Sequence, residues 1–246
     1  MKFRLSWFSK ILHTRLFKSL YFVILVISIY PNLGATAQKT IPQQSAVVIH
    51  KNFKPLSGDL IFQEGKENSF TKAVQEVTSG YHGAKLSHVG IVFYKSNIPF
   101  VLEAKDKVQS TPLEKFLYRS CDKNGAPKVI VGRLIKKYQN LIPKAIQIGK
   151  SLIGLPYNDT FDIKNNKAFY CSQLVYYCFK GANNGIPIFK LYPMTFKSPK
   201  TGKTFGIWKE YFKKLKTNVP QEKPGLNPGG MSKSPNIKII HTYGII

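Results

Sequence analysis

The sequence predicts an α+β fold, and three observations predict it. Apolar residues make up 43% of the 246-residue chain and aromatics 13%, enough to bury a sizeable core and far from the composition that keeps a chain unfolded. Strand-like segments cluster between helical ones, with too few helices for the regular alternation of a doubly wound sheet. Residues 87–105 read as two strands joined by a two-residue tip, the seed of a small antiparallel sheet.

From the N-terminus, Lys2, Arg4, Lys10, Arg15 and Lys18 precede an apolar run at 20–30, and Ala35-Thr36-Ala37 places small residues before a cleavage point. This is the pattern of a secretory signal over residues 1–37. A run of about eleven residues rises only about 16 Å as a helix, short of the roughly 30 Å hydrocarbon core, which disfavours a membrane anchor. The remainder, 38–246, is expected to be a single soluble domain, exported to the periplasm or secreted. Residues 38–53 are weakly patterned. A turn at Pro55 and Gly58 leads into a strand at 58–62, and Phe70, Ala73, Val74 and Val77 share one face of a helix over 70–78, stopped by Gly80. The hairpin strands follow at 87–94 and 99–105. A short helix is expected at 112–118, a strand at 128–134, an amphipathic helix at 138–153 ended by Gly154, and a strongly helical segment at 169–182. Pro and Gly accumulate over 218–235, which reads as a surface loop before a last apolar stretch at 237–240.

The chain carries 37 Lys and Arg against 12 Asp and Glu. Five of the basic residues and none of the acidic ones lie in the first 37, so about +20 of the +25 net charge belongs to the domain. That favours anionic envelope polymers or lipid head groups as surroundings. Nucleic acid is disfavoured by export and by the lack of a recognisable binding module. Among the motifs, no His-x-x-x-His or Cys-x-x-Cys supplies zinc-ligand spacing, and no Gly-x-Ser-x-Gly marks a hydrolase serine. Gly202-Lys203-Thr204 resembles the end of a phosphate-binding loop, but Lys197 stands where its first Gly belongs. The cysteines are Cys121, Cys171 and Cys178, so an intramolecular disulfide leaves at least one thiol free. On one helix, Cys171 and Cys178 lie about 10.5 Å apart along the axis, too far for a disulfide, whereas a bridge from Cys121 to either is left open.

What remains is a constellation. With residues 96 and 97 at the hairpin tip, opposite positions sum to 193, and Val89, Ile91 and Phe93 face Ala104, Leu102 and Phe100 in an apolar layer. The other face carries His88, Gly90, Val92, Val101 and Glu103, with His88 diagonal to Glu103 and within its reach. A carboxylate beside an imidazole fixes its tautomer and raises its pKa; an incidental pair on a solvated face would have the same spacing. Cys171 falls at the opening of the helix over 169–182, where unpaired N–H groups and the helix dipole favour a thiolate. A buried core thiol would also fit that apolar helix, and Cys178, two turns on, fits that description better.

The blocks Gly58-Asp59-Leu60-Ile61-Phe62-Gln63, Leu86-Ser87-His88-Val89-Gly90, Val101-Leu102-Glu103-Ala104 with Thr111-Pro112-Leu113, Gly154-Leu155-Pro156-Tyr157 and Tyr170-Cys171-Ser172 resemble, in order, the YiiX/YebB-like family. These are circularly permuted, NlpC-type papain-like cysteine hydrolases. The resemblance implies a permuted papain-like fold with the Cys helix packed on the sheet, Cys171 as nucleophile, His88 as base, Glu103 as the residue orienting it, and Tyr157 lining the substrate pocket. It implies no metal or organic cofactor. In the envelope it points to an amide bond in peptidoglycan stem peptides, with a lipid-like acyl substrate or a non-catalytic basic binding protein as alternatives. Two positions depart from the family pattern: Asn158 stands where an acid often follows the Tyr, and Gln173 where Glu often follows the Cys.

Overall fold

The computed structural model describes residues 53–66 and 68–246, all within the compact unit Ser45–Ile246. The expected export segment at 1–37 and most of 38–53 lie outside the described residues. In chain order the elements are β1 (Leu60–Gln63), α1 (Ser69–Glu76), β2 (His88–Lys95), β3 (Ile98–Ala104), β4 (Val108–Pro112), α2 (Leu113–Leu117) and β5 (Val129–Leu134). They continue with α3 (Ile142–Ser151), α4 (Cys171–Ala182), β6 (Tyr192–Pro193), α5 (Gly206–Lys214), β7 (Pro224–Gly225), α6 (Pro228–Ser232) and β8 (Ile237–Thr242).

Six strands form one antiparallel sheet in the order β4-β3-β2-β1-β5-β8. Its centre is the hairpin β2–β3, whose register runs from Gly90 opposite Glu103 to Lys95 opposite Ile98. Ser96 and Asn97 form the tip with φ of 48° and 63°, the left-handed pair that matches strand twist in a two-residue hairpin. As the alternation predicts, Val89, Ile91, Phe93, Leu102 and Ala104 pack into one core, covered by α3 and α4. The opposite face is no solvated surface. Val92 and Val101 join Ile61, Val129 and Val131 in a second core closed by Leu113, Phe116 and Leu117 of α2.

Several boundaries move for local reasons. The helix expected over 138–153 starts only at Ile142 after a 3-10 turn at Lys136–Leu141, because Pro143 is accommodated in a first turn and not in a helix interior. The helix expected over 169–182 starts at Cys171, since the Gln173 side chain accepts from the Tyr170 N–H and makes Tyr170 the cap. β4 and α5 were not expected. Strand β4 sits on the sheet edge, and α5 folds Trp208 and Phe212 onto α1 and Phe196 in a third, aromatic cluster.

The Pro/Gly-rich stretch 218–235 requires correction. It holds β7 and α6, and Gly225, Leu226, Pro228, Gly229, Met231 and Ser232 are buried. The Asn227 side chain caps α6 by accepting from the Gly230 N–H at 2.7 Å, and Ser172 Oγ donates to the Leu226 carbonyl at 2.9 Å. Pro and Gly here permit close packing against the start of α4: a Cβ on Gly229 would lie 3.1 Å from the Ser79 backbone.

Candidate active site

His88 opens β2, Glu103 lies near the end of β3, and Cys171 is the first residue of α4. The structure brings the three together at the end of the sheet over which α4 begins. His88 Nε2 lies 2.6 Å from Glu103 Oε2, and the Cys171 thiol hydrogen-bonds the same ring. The imidazole thus bridges thiol and carboxylate, with Nδ1 left for the sulfur. Cys171 is buried, and as the first residue of a helix it adjoins backbone N–H groups that have no partner within the helix.

Glu103 is fully buried, and both its oxygens are occupied. Thr111 Oγ1 donates to Oε1 at 2.5 Å, and Arg119 grips both oxygens, from Nη2 at 2.7 Å and Nη1 at 2.8 Å. Burial pushes this carboxyl up, but the bonds and charges of Arg119 and His88 outweigh it and hold the group well below the usual carboxylate range. For His88, burial opposes the charged ring, yet the bonds from Cys171 and Glu103, with their charges, raise its pKa to about 9. Charge therefore alternates along Arg119, Glu103, His88 and Cys171, which favours an imidazolium facing a thiolate. Phe116 of α2 packs beneath, 5.7 Å from the His88 ring and 5.1 Å under the Arg119 guanidinium.

Tyr157, expected to line the pocket, lies between two hollows that flank the catalytic residues. Burial, and next the charge of Cys171, push its phenol well above its ordinary value, so it remains a neutral hydroxyl beside the sulfur. The two departures from the family pattern meet. Asn158 Nδ2 donates to Gln173 Oε1 at 2.9 Å and to the Asp162 carbonyl at 2.8 Å, while Gln173 Nε2 donates to the Asn165 carbonyl at 2.7 Å. Two buried amides thus pin the loop after Tyr157 to the first turn of α4. Asp59, the acid of the first block, lies elsewhere. It forms a fork with Arg133 at 2.7 and 2.8 Å and braces β1 against β5.

Sequence reasoning missed Arg119, Thr111 and Gln63, whose amide donates to the Phe116 carbonyl at 2.8 Å beside His88. Thr111 stood in a quoted block, but nothing marked its hydroxyl as a partner of Glu103. Cys121 is exposed, Cys178 is buried with its thiol pushed up to about 12 by burial, and all three cysteines are free. The bridge from Cys121 that was left open is not formed.

Comparison with known proteins adds three findings. The model of the Peptidase_C92 family, permuted papain-like amidase enzymes of the YaeF/YiiX type, matches residues 54–241. An uncharacterized protein YiiX of Escherichia coli (strain K12) is 28% identical over 130 residues, 53% of this chain. The chain spans 60% of that relative's length. A crystal structure described as that of metalloprotein yiiX from Escherichia coli O157:H7, DUF1105, shares the fold with a TM-score of 0.63 at 24% identity, over 78% of this chain and all of that one.

Proposed function

Because the chain belongs to the family of permuted papain-like amidases, we propose that it is a thiol hydrolase in which Cys171 transiently carries the acyl group of its substrate. The observation that supports this most is the His88 imidazole held between a thiol and a carboxylate whose own oxygens are fully engaged. In the first step the Cys171 sulfur attacks the substrate carbonyl carbon, and the Cys171 backbone N–H is placed to hold the developing oxyanion. His88 delivers its proton to the leaving nitrogen or oxygen as that bond breaks. Water then attacks the thioester while His88 takes its proton, which releases a carboxylic acid and restores the thiolate. Glu103 keeps the ring oriented and charged, and Arg119 and Thr111 keep Glu103 ionised.

The fold neighbour is described as a metalloprotein, but the residues here do not fit such a centre. Among the described residues no three His, Cys, Asp or Glu side chains gather as a ligand set, and Arg119, Thr111 and His88 occupy the oxygens of Glu103. No step is routed through a metal.

Export, expected from residues 1–37, would bring the enzyme to peptidoglycan, whose stem-peptide amides suit the family's chemistry. A second reading, hydrolysis or transfer of a lipid-like acyl group, is favoured by one observation. The hollow containing Cys171 is walled by Phe161, Met194, Phe196, Trp208 and Leu226. Incubating the protein without residues 1–37 with muropeptides and, separately, with acyl esters tests both, with Cys171→Ala beside wild type. Product from wild type alone is expected; release from neither class, or equal release by the variant, overturns the proposal.

A further inference from the structure

The two hollows beside the catalytic pair differ in chemistry, and each holds one of its members. The one that contains Cys171, about 180 Å³, is lined by Val77, Phe161, Met194, Phe196, Trp208 and Leu226 and carries no charged side chain. At about 30 Å³ per water-sized group it admits roughly six such groups, enough for a short apolar chain. The one that contains His88, about 510 Å³, is lined by Lys66, Lys105, Arg119, Asn68 and Thr71, with Asp159 as its single acid. Lys66 and Lys105 are exposed, the guanidinium of Arg119 is committed to Glu103, and Asp159 accepts from the Tyr211 hydroxyl at 2.8 Å. Tyr157, Val74 and Ser87 line both hollows and mark where they meet.

Acyl transfer assigns substrate halves to these sides. The acyl half becomes bonded to sulfur, so it occupies the hollow that holds Cys171. The leaving half takes its proton from His88, so it departs through the hollow that holds His88. We infer that the substrate is an apolar acyl group joined to an anionic leaving group, the acyl chain seated against Phe196 and Trp208 and the anion, a carboxylate or phosphate, near Lys66 and Lys105. This rests on the thiol-hydrolase reading above and deepens it. An apolar chain gains by leaving water for an aromatic-walled hollow, whereas a polar stem peptide would lose hydration there without partners. The lysines act at the mouth, where exposed charge steers an anion in a salt-dependent way and contributes little to tight binding.

Four esters test this: acetyl and octanoyl esters of 3-hydroxybenzoate, whose leaving group is anionic, and of 3-hydroxybenzamide, whose leaving group is neutral. Each kcat/KM is divided by the spontaneous hydrolysis rate of the same ester. Octanoyl should exceed acetyl by at least about 30-fold, since six added methylenes are buried. The benzoate should exceed the benzamide several-fold at low ionic strength, with the gap closing in about 0.5 M salt. Met194→Gln should reduce the chain-length preference and leave the charge preference, and Lys66→Gln with Lys105→Gln should do the reverse. Equal rates for acetyl and octanoyl, or for benzoate and benzamide, overturn the inference while turnover keeps the thiol-hydrolase reading. No turnover of any ester, with Cys171 still rapidly carboxymethylated by iodoacetamide, overturns the inference too. Failure of Cys171 to label overturns the reading beneath it.

Discussion

Glu103 is where charge, burial and chemistry meet, and it sets the first prediction. Glu103→Gln keeps the volume but loses the charge that favours imidazolium and turns an amide N–H₂ toward Arg119. Loss of about 2–3 kcal/mol of charge-assisted hydrogen bonding should lower the hydrolysis rate by roughly 30- to 150-fold without abolishing it, whereas His88→Ala and Cys171→Ala should abolish it. Initial rates decide this, and full activity in Glu103→Gln would sink its orienting role. The same residues set the pH dependence of stability. Glu103, with its folded value depressed below the model value of 4.5, contributes stability present above pH 4.5 and lost as pH falls through the folded value. His88, raised from 6.5 to about 9, contributes stability fully present below pH 6.5 and lost as pH rises through about 9. Urea unfolding should therefore give greatest stability between about pH 4.5 and 6.5 from this pair, with a decline toward pH 9 that His88→Ala removes; a flat upper limb in wild type would contradict it. His88, Glu103 and Cys171 were legible because the hairpin pattern fixes register and a helix start is a known place for a thiolate. Arg119 was not, because it follows a short helix and reaches Glu103 through the tertiary fold, with no periodicity to announce it.

At the scale of elements, β2 and β3 must lie close enough for His88 and Glu103 to touch, and Gly90 permits this. A Cβ there would stand 2.4 Å from Val101 Cγ1 and 2.9 Å from the Leu102 carbonyl oxygen, and the backbone can yield only by parting the strands. Gly90→Ala should cost about 1–3 kcal/mol and lower Tm by several degrees, measured by thermal unfolding; an unchanged Tm would show that the strands tolerate separation. The start of α4 depends equally on Asn158 and Gln173. Asn158→Ala leaves the Asp162 carbonyl and Gln173 Oε1 without that donor and should cost about 1–3 kcal/mol by urea denaturation, and wild-type stability in the variant would count against the amide brace. Strands with strict alternation were legible, as the hairpin shows. The segment over 218–235 was not, since Pro and Gly signal a break in regular structure equally well whether the chain then runs over the surface or, as here, packs against a helix start.

For the whole molecule, the sheet is covered on both faces, and the catalytic pair lies where two hollows of different polarity meet. The fold class was legible from strand clustering, while the second core was not, because one apolar face of a hairpin does not reveal what covers the other. The pattern over 1–37 predicts removal in the cell: intact mass of envelope-derived protein should give a chain beginning at Gln38, and a mature pool retaining Met1 would contradict export by cleavage. The most direct test of the account is to trap its intermediate. Brief mixing with octanoyl 3-hydroxybenzoate, quenching in acid and peptide mapping should place one octanoyl thioester on Cys171 in the wild type and none in His88→Ala; an octanoyl group on Cys121 or Cys178 instead, or none on the wild type while the ester is being consumed, would contradict it.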